Sequence, residues 1–220
     1  MILAKYEDLE KIVKAKGYKW FVEALKPNIV AIRTNLIVPN VYNDIMCVAY
    51  VDKVGKKFFF TYSITTLPGK FWLKNPLNPK GCGILIPGQY VDGWVKGTHG
   101  KTRPHDALLQ IGAGVNIYRD NDKDEIPDFS GPGVTIEKNV FIGLNLHASW
   151  AIGDRKNIDK DSAACQVSAT SWAHENILMK AVDNYIISQL GYLPTNSQIM
   201  NDRKLQVKFT YTLLVEKDLK

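Results

Sequence analysis

Two residues of the segment "NLHASWAIGDRKNIDKDSAACQVSA" have side chains suited to covalent catalysis. They are His147 and Cys165, eighteen positions apart. A thiol attacks as its thiolate and is mostly protonated at neutral pH. An imidazole within reach, or a helix N-terminus, would lower its pKa. Both aids are in prospect, because His147 ends the apolar run "VFIGLNLH" and a helix is expected soon after Cys165. Ser162, Ala163 and Ala164 precede the cysteine, and side chains this small let a carbonyl approach the backbone. Amides around Ala163 to Cys165 would then serve as an oxyanion hole. Ser149 or a backbone carbonyl would orient His147. The competing reading makes both residues core filler that happens to share a segment.

Other residues invite weaker assignments. The carboxylates of "DNDKDE", residues 120 to 125, alternate as in a calcium loop. Glu125 stands where such a loop needs glycine, and Gly131 where it needs glutamate, so a solvated hairpin tip is expected and not an EF-hand. His99 and His105 lie six apart in a Gly/Pro-rich loop. Their spacing matches no standard zinc pattern, and a loop bordering the cleft is the preferred reading. His174 is expected at the surface. Trp150 and Trp172 flank the His-to-Cys segment and are read first as core. No metal or cofactor is required.

The elements that must position these groups are mainly strands. Residues 4 to 17 read as a short amphipathic helix ending at Gly17. "NIVAIRTNLIV" and "DIMCVAYVD" are β-branched runs, and Lys53-Val54-Gly55 joins the second to "KKFFFTYSITT" as a hairpin. "KFWL", "GILIPGQY", "ALLQIG", "GVNIYRD" and "GVTIEKNVFIGLNLHA" read as further strands, with Gly88 and Tyr90 at a turn. Ser171 is the expected cap of one long helix. Its stripe runs through Ile177, Leu178, Ala181, Val182, Tyr185, Ile186 and Leu190 to Gly191. "LQVKFTYTLLVEK" closes the chain as a strand. The fold class is therefore mainly β (α+β). One domain over residues 1–220 is expected, with 1–27 a helical extension and 28–220 the core.

Composition bounds the function. Apolar residues make up 45% of the 220, enough for a real core, and no apolar run approaches the length of a bilayer span. The opening residues mix charge into apolar positions and do not read as a secretory signal. Cys47, Cys82 and Cys165 are an odd number of cysteines, which argues against a disulfide framework. A net charge of +6 is scattered and has no basic block interleaved with aromatics, so nucleic acid is not the expected partner. An anionic polymer such as a cell wall would suit that surface equally.

"GLNLHAS…DSAACQV" resembles the active-site signature of the L,D-transpeptidases, the YkuD-like cysteine enzymes of bacterial cell-wall metabolism. That signature has a strand ending in Ile-His, a variable loop, and Ser-x-Gly-Cys. His147, Ser162 and Cys165 match it. "TTLPGKF" resembles the family's upstream segment at Pro68, Gly69 and Phe71. "PGQY", "YRDNDKD" and "ACQV" resemble small YkuD-like proteins of bacteriophages and gut bacteria. The resemblance covers about residues 28 to 190. It implies a YkuD-like β-sandwich or barrel with Cys165 as nucleophile and His147 as base. It further implies acyl transfer to an amine or hydrolysis on peptidoglycan stem peptides. The protein would be made in the cytoplasm and act at the wall or periplasm, or be carried in a virion. Four positions depart from the pattern: Ala148, Ala163 for a histidine, Ala164 for a glycine, and Val167 for the arginine expected to hold a substrate carboxylate. If position 164 needs a positive φ, alanine there is strained. Two alternatives remain beside the wall enzyme. One is a non-catalytic virion or wall-binding protein on the same fold, and the other is a cysteine peptidase or amidase with a protein substrate.

Overall fold

A computed structural model describes residues 5–112, 114–149 and 156–220. Trp150 and the first half of the loop after His147 lie outside these residues. The protein is mainly β. Helix α1 (Tyr6–Ala15) precedes β1 (Asn28–Arg33), β2 (Asp44–Val51), β3 (Lys57–Thr65) and the short helix α2 (Lys70–Lys74). Strands β4 (Cys82–Leu85), β5 (Gly88–His99), β6 (His105–Gln110), β7 (Val115–Asp120), β8 (Val134–Val140), β9 (Leu146–Ala148) and β10 (Gln166–Ser168) follow. Then come α3 (Ser171–Ala173), a π-helical stretch (His174–Met179), α4 (Lys180–Leu190), α5 (Asn196–Asn201) and β11 (Phe209–Val215).

Eight strands close a barrel in the order β1-β11-β5-β6-β9-β10-β3-β2. The remaining three form a second sheet, β4-β7-β8. The β2–β3 hairpin turns where Lys53-Val54-Gly55 predicts it, with Gly55 at φ 84° and Asp52 N–H bonded to the Lys56 carbonyl at 2.9 Å. Strand β1 is buried along its whole length because both its faces are covered. Ile29 and Ala31 join the main core with Met46, Trp94, Tyr211 and Leu213. Val30 and Ile32 face the other way and pack under Tyr6, Leu9, Ile12 and Val13 of α1. The apolar stripe of the late helix enters the main core through Leu178 of the π-helical stretch and Val182, Tyr185 and Ile186 of α4.

Several local expectations are corrected. "KFWL" is α2, a single short helix begun at Gly69, because Leu73 is buried there and Trp72 Nε1–H reaches the Lys160 carbonyl at 3.1 Å. "GVTIEKNVFIGLNLHA" is not one strand: Gly143 at φ 68° lies in the break between β8 and β9. Gly88 and Tyr90 lie in β5 instead of a turn. Thr170, not Ser171, caps the late helix by accepting from Ala173 N–H at 3.1 Å. His174 is completely buried, and Trp172, expected in the core, is 67% exposed.

Candidate functional site

Strands β9 and β10 are parallel neighbours, and this pairing brings the two ends of the variable loop together. Val167 lies opposite His147. Gln166 N–H donates to the Asn145 carbonyl at 2.9 Å, so Cys165 enters beside Asn145. Leu146 belongs to the barrel core, and Gln166 reaches into it to accept from the Tyr211 hydroxyl at 2.8 Å. Side chains alternate along strands, so His147 and Cys165 share the opposite, outward face.

The turn before Cys165 is held from three sides. Ser162 is fully buried, and its hydroxyl donates to the Cys165 carbonyl at 2.7 Å. The Ser162 carbonyl accepts from Gly69 N–H at 2.9 Å, which ties the Pro68-Gly69 segment to the turn. A Cβ on Gly69 would run into the Asp159 backbone, so only glycine lets the two segments approach this closely. From the third side, the Cys82 thiol donates to the Ala163 carbonyl at 3.2 Å. Ala164 has an ordinary negative φ and is not among the positive-φ residues, so the expected strain is absent. Among the described residues, the amides of Ala163, Ala164 and Cys165 donate to no protein carbonyl.

These three residues form one wall of a cavity of about 380 Å³. Gly143, Ile142, Cys82, Gly83 and Arg119 supply the rest of its lining near the thiol. The Cys165 sulfur accepts from Asn145 N–H at 3.5 Å and points its proton toward the Gly143 carbonyl at 3.8 Å. Burial pushes this thiol up to about 11, against a small opposing pull from the Asn145 amide. The same cause pushes Cys82 and Cys47 up to about 12. The helix does not help Cys165, because β10 intervenes and Thr170 takes up the first helical amides. A separate cavity of about 480 Å³ lies beyond Arg33, Tyr118 and Phe129 and contains neither thiol nor imidazole.

His147 is buried, and its chemistry is set by one hydrogen bond. The Ala148 carbonyl lies 2.9 Å from Nδ1 and can only accept, so Nδ1 carries the proton. Nε2 is then a bare lone pair, and it is buried without a partner among the described residues. Ser149 does not orient this ring. Its hydroxyl donates to the Ala169 carbonyl at 2.8 Å, and the orienting contact is the Ala148 carbonyl. His147 stacks on His99 with ring centres 3.9 Å apart. Burial holds His147 well below the ordinary imidazole value, with His99 adding to the effect. No hydrogen bond joins His147 to Cys165 in this resting arrangement. Thiol and imidazole therefore both rest neutral.

The sequence does not reveal that all four histidines converge. His99 ends β5 and His105 begins β6, directly opposite in register, instead of lying in a loop. Their rings lie 5.6 Å apart, and His105 lies 5.7 Å from His147 and 6.5 Å from His174. The Asn145 side-chain amide sits 3.2 Å from His99 Nδ1. Its oxygen already accepts from Gln110 N–H, so its nitrogen donates to His99. His174 Nε2–H donates to the Asp106 carbonyl at 2.9 Å, and its Nδ1 faces the Ser168 hydroxyl at 3.3 Å. Behind the cluster, Lys96 is buried between Asp183 at 2.6 Å and Asp106 at 2.8 Å.

Arg119 and Cys82 are the other residues that the sequence leaves unmarked. They meet the Cys165 turn only because β4 pairs with β7 in a register that sets Gly83 against Arg119. Arg119 is held by Glu137 at 2.8 Å and by the Gly81 carbonyl at 3.2 Å. No protein-family profile, curated protein or solved structure matches this chain.

Proposed function

We propose that the protein is a cysteine-dependent acyltransferase or hydrolase acting on peptide substrates, with Cys165 as nucleophile and His147 as base. The observation that carries this reading is the cavity at Cys165, lined by Ala163, Ala164 and Cys165, whose amides donate to no protein carbonyl among the described residues. His147 Nε2 accepts the thiol proton as substrate closes over the site. The sulfur attacks the peptide carbonyl, and the amides of Ala163 to Cys165 hold the oxyanion. The amine leaves with the proton from His147, and an acyl-enzyme remains. A second amine completes transpeptidation, and water completes hydrolysis. Arg119 stands on the cavity wall as a fixed cation for a substrate carboxylate, in place of the arginine that Val167 replaces. Together with the sequence resemblance, this favours peptidoglycan stem peptides, and a YkuD-like barrel is the fold that goes with that reading.

Per-cysteine mass spectrometry after treatment with a carbapenem tests the assignment. Selective acylation of Cys165 that is lost in His147→Ala supports it. If Cys165 reacts no faster than the buried Cys47 and Cys82, the enzyme reading fails. A second reading, a non-catalytic binding protein on the same fold, is favoured by the neutral thiol and the absent Cys165–His147 bond. It expects no acylation and unchanged muropeptides after incubation with sacculi.

A further inference from the structure

The connection from β7 to β8 carries a feature that Cys165 chemistry does not use. One carboxylate oxygen each from Asp120, Asp122 and Asp128 converges within 4.8 Å of the others. Asp124, which alternates with the first two in sequence, is not one of the three. Its oxygen accepts from Ile126 N–H at 2.8 Å. Asp128 replaces it because the chain folds back, with Asp128 N–H donating to Asp120 Oδ2 at 2.9 Å.

A group of acidic residues is common without a ligand, and what distinguishes this one is Asp120. Its side chain is buried, with 2% of the residue exposed, and among the described residues its Oδ1 has no hydrogen-bond donor. No ion pair among the described residues reaches any of the three carboxylates. Arg119 turns to Glu137, Lys80 also goes to Glu137, and Lys74 goes to Glu125. A buried carboxylate with an idle oxygen and two like-charged neighbours is unfavourable until a proton or a cation joins it, and a cation can serve all three carboxylates at once.

We propose that Asp120, Asp122 and Asp128 form a Ca²⁺ site at the start of the β7–β8 connection. Three carboxylates are hard oxygen donors of the kind that Ca²⁺, Mg²⁺ and Mn²⁺ take, and an irregular loop-borne set suits the flexible shell of Ca²⁺ better than the strict octahedron of Mg²⁺. Backbone carbonyls and water complete the shell of such an ion. The ion balances charge that no protein cation reaches, and it fixes the end of β7 one residue after Arg119. None of the three carboxylates lines the Cys165 cavity, so the site stands whether or not Cys165 is a nucleophile.

The full-length protein, stripped with chelator, is titrated with CaCl₂ by calorimetry and with TbCl₃ by luminescence excited through tyrosine. Tyr118 lies two residues from Asp120 and supplies the antenna. One equivalent of Ca²⁺ is expected to bind, to displace Tb³⁺ and to raise the melting temperature with the logarithm of the ligand excess. Asp122→Asn removes one of three converging like charges, so the calcium-free protein should melt no lower than the parent, yet Ca²⁺ binding should weaken at least tenfold. Asp120→Asn abolishes binding, and Asp122→Asn keeps the test valid if that variant fails to fold. The proposal is overturned if no saturable binding occurs by about 10 mM Ca²⁺, tenfold above the weakest known protein modules. It is also overturned if Asp122→Asn binds as the parent does, or if Mg²⁺ binds equally well.

Discussion

Acidification should unfold this protein through its histidines, and His174 sets the scale. Its ring is completely buried and uses both nitrogens in the neutral form, on the Asp106 carbonyl and the Ser168 hydroxyl. Burial pushes it down to about 4 from an ordinary 6.5, with the Asp106 carbonyl and carboxylate opposing and His105 and His99 assisting. The unfolded chain therefore binds more protons than the folded one between about pH 6.5 and 4. Stability is complete above 6.5 and is lost as pH falls toward 4. Between about pH 7.5 and pH 5 the loss from His174 alone is about 2 kcal/mol, from 1.36 kcal/mol per pKa unit. For a chain of this length that lowers Tm by roughly 4–8 °C. His147 and His99 are shifted in the same direction and add to the fall. Glu175 and Asp183, whose carboxyls burial raises, act in the opposite sense at lower pH, while Lys96 holds the lowered Asp106. Calorimetric melts of parent and His174→Gln across this range isolate the ring. The variant should be less stable at neutral pH and should show a shallower dependence on acid. Equal slopes would refute the buried-imidazole reasoning.

Gly69→Ala should lower stability by about 1–3 kcal/mol through overpacking against Asp159. Because Gly69 also anchors Ser162, Cys165 acylation should slow at least tenfold, as measured by mass spectrometry at a temperature where both forms are folded. Ala164→Gly should lower stability by about 0.5–1 kcal/mol and give no gain in acylation rate, because Ala164 is not held at a positive φ. A rate gain of severalfold would show that position 164 works through a positive φ. Arg119→Gln should raise KM for a substrate bearing a carboxylate more than it changes kcat. An unchanged KM would remove Arg119 from recognition.

The sequence reveals what is local and conceals what the closed sheet brings together. The β2–β3 hairpin, α1, the stripe of α4 and β11 were legible because period, turn residues and caps lie within a few positions of one another. "KFWL" misled because four apolar residues carry no decisive period, and its helix exists through contacts to residues 159 and 160. His174 read as a surface residue because it opens a helix. Its burial depends on β6, which is distant in the chain. The pair His147 and Cys165 was visible as a motif on adjacent segments. The partners of that motif were not. Cys82, Arg119 and His99 come from three other strands, and only the registers of β4 with β7 and of β5 with β6 bring them in. The departure at Ala164, which looks most damaging in the sequence, brings no positive-φ strain to the turn. The separation of His147 from Cys165 by a missing hydrogen bond is the feature no spacing rule could disclose.

That separation makes reactivity at Cys165 decisive. The measurement is the rate of covalent modification at each cysteine near neutral pH, with a small thiol reagent and with a carbapenem. A simple alkylating reagent should report a sluggish thiol at Cys165, since at about 11 its thiolate fraction near pH 7.5 is about 100-fold below that of a thiol at 9. The carbapenem, which presents an acyl group to the amide-lined wall, should acylate Cys165 alone and fail to do so in His147→Ala. Equal, slow reaction of Cys165, Cys82 and Cys47 with both reagents would contradict the assignment of Cys165 as a nucleophile.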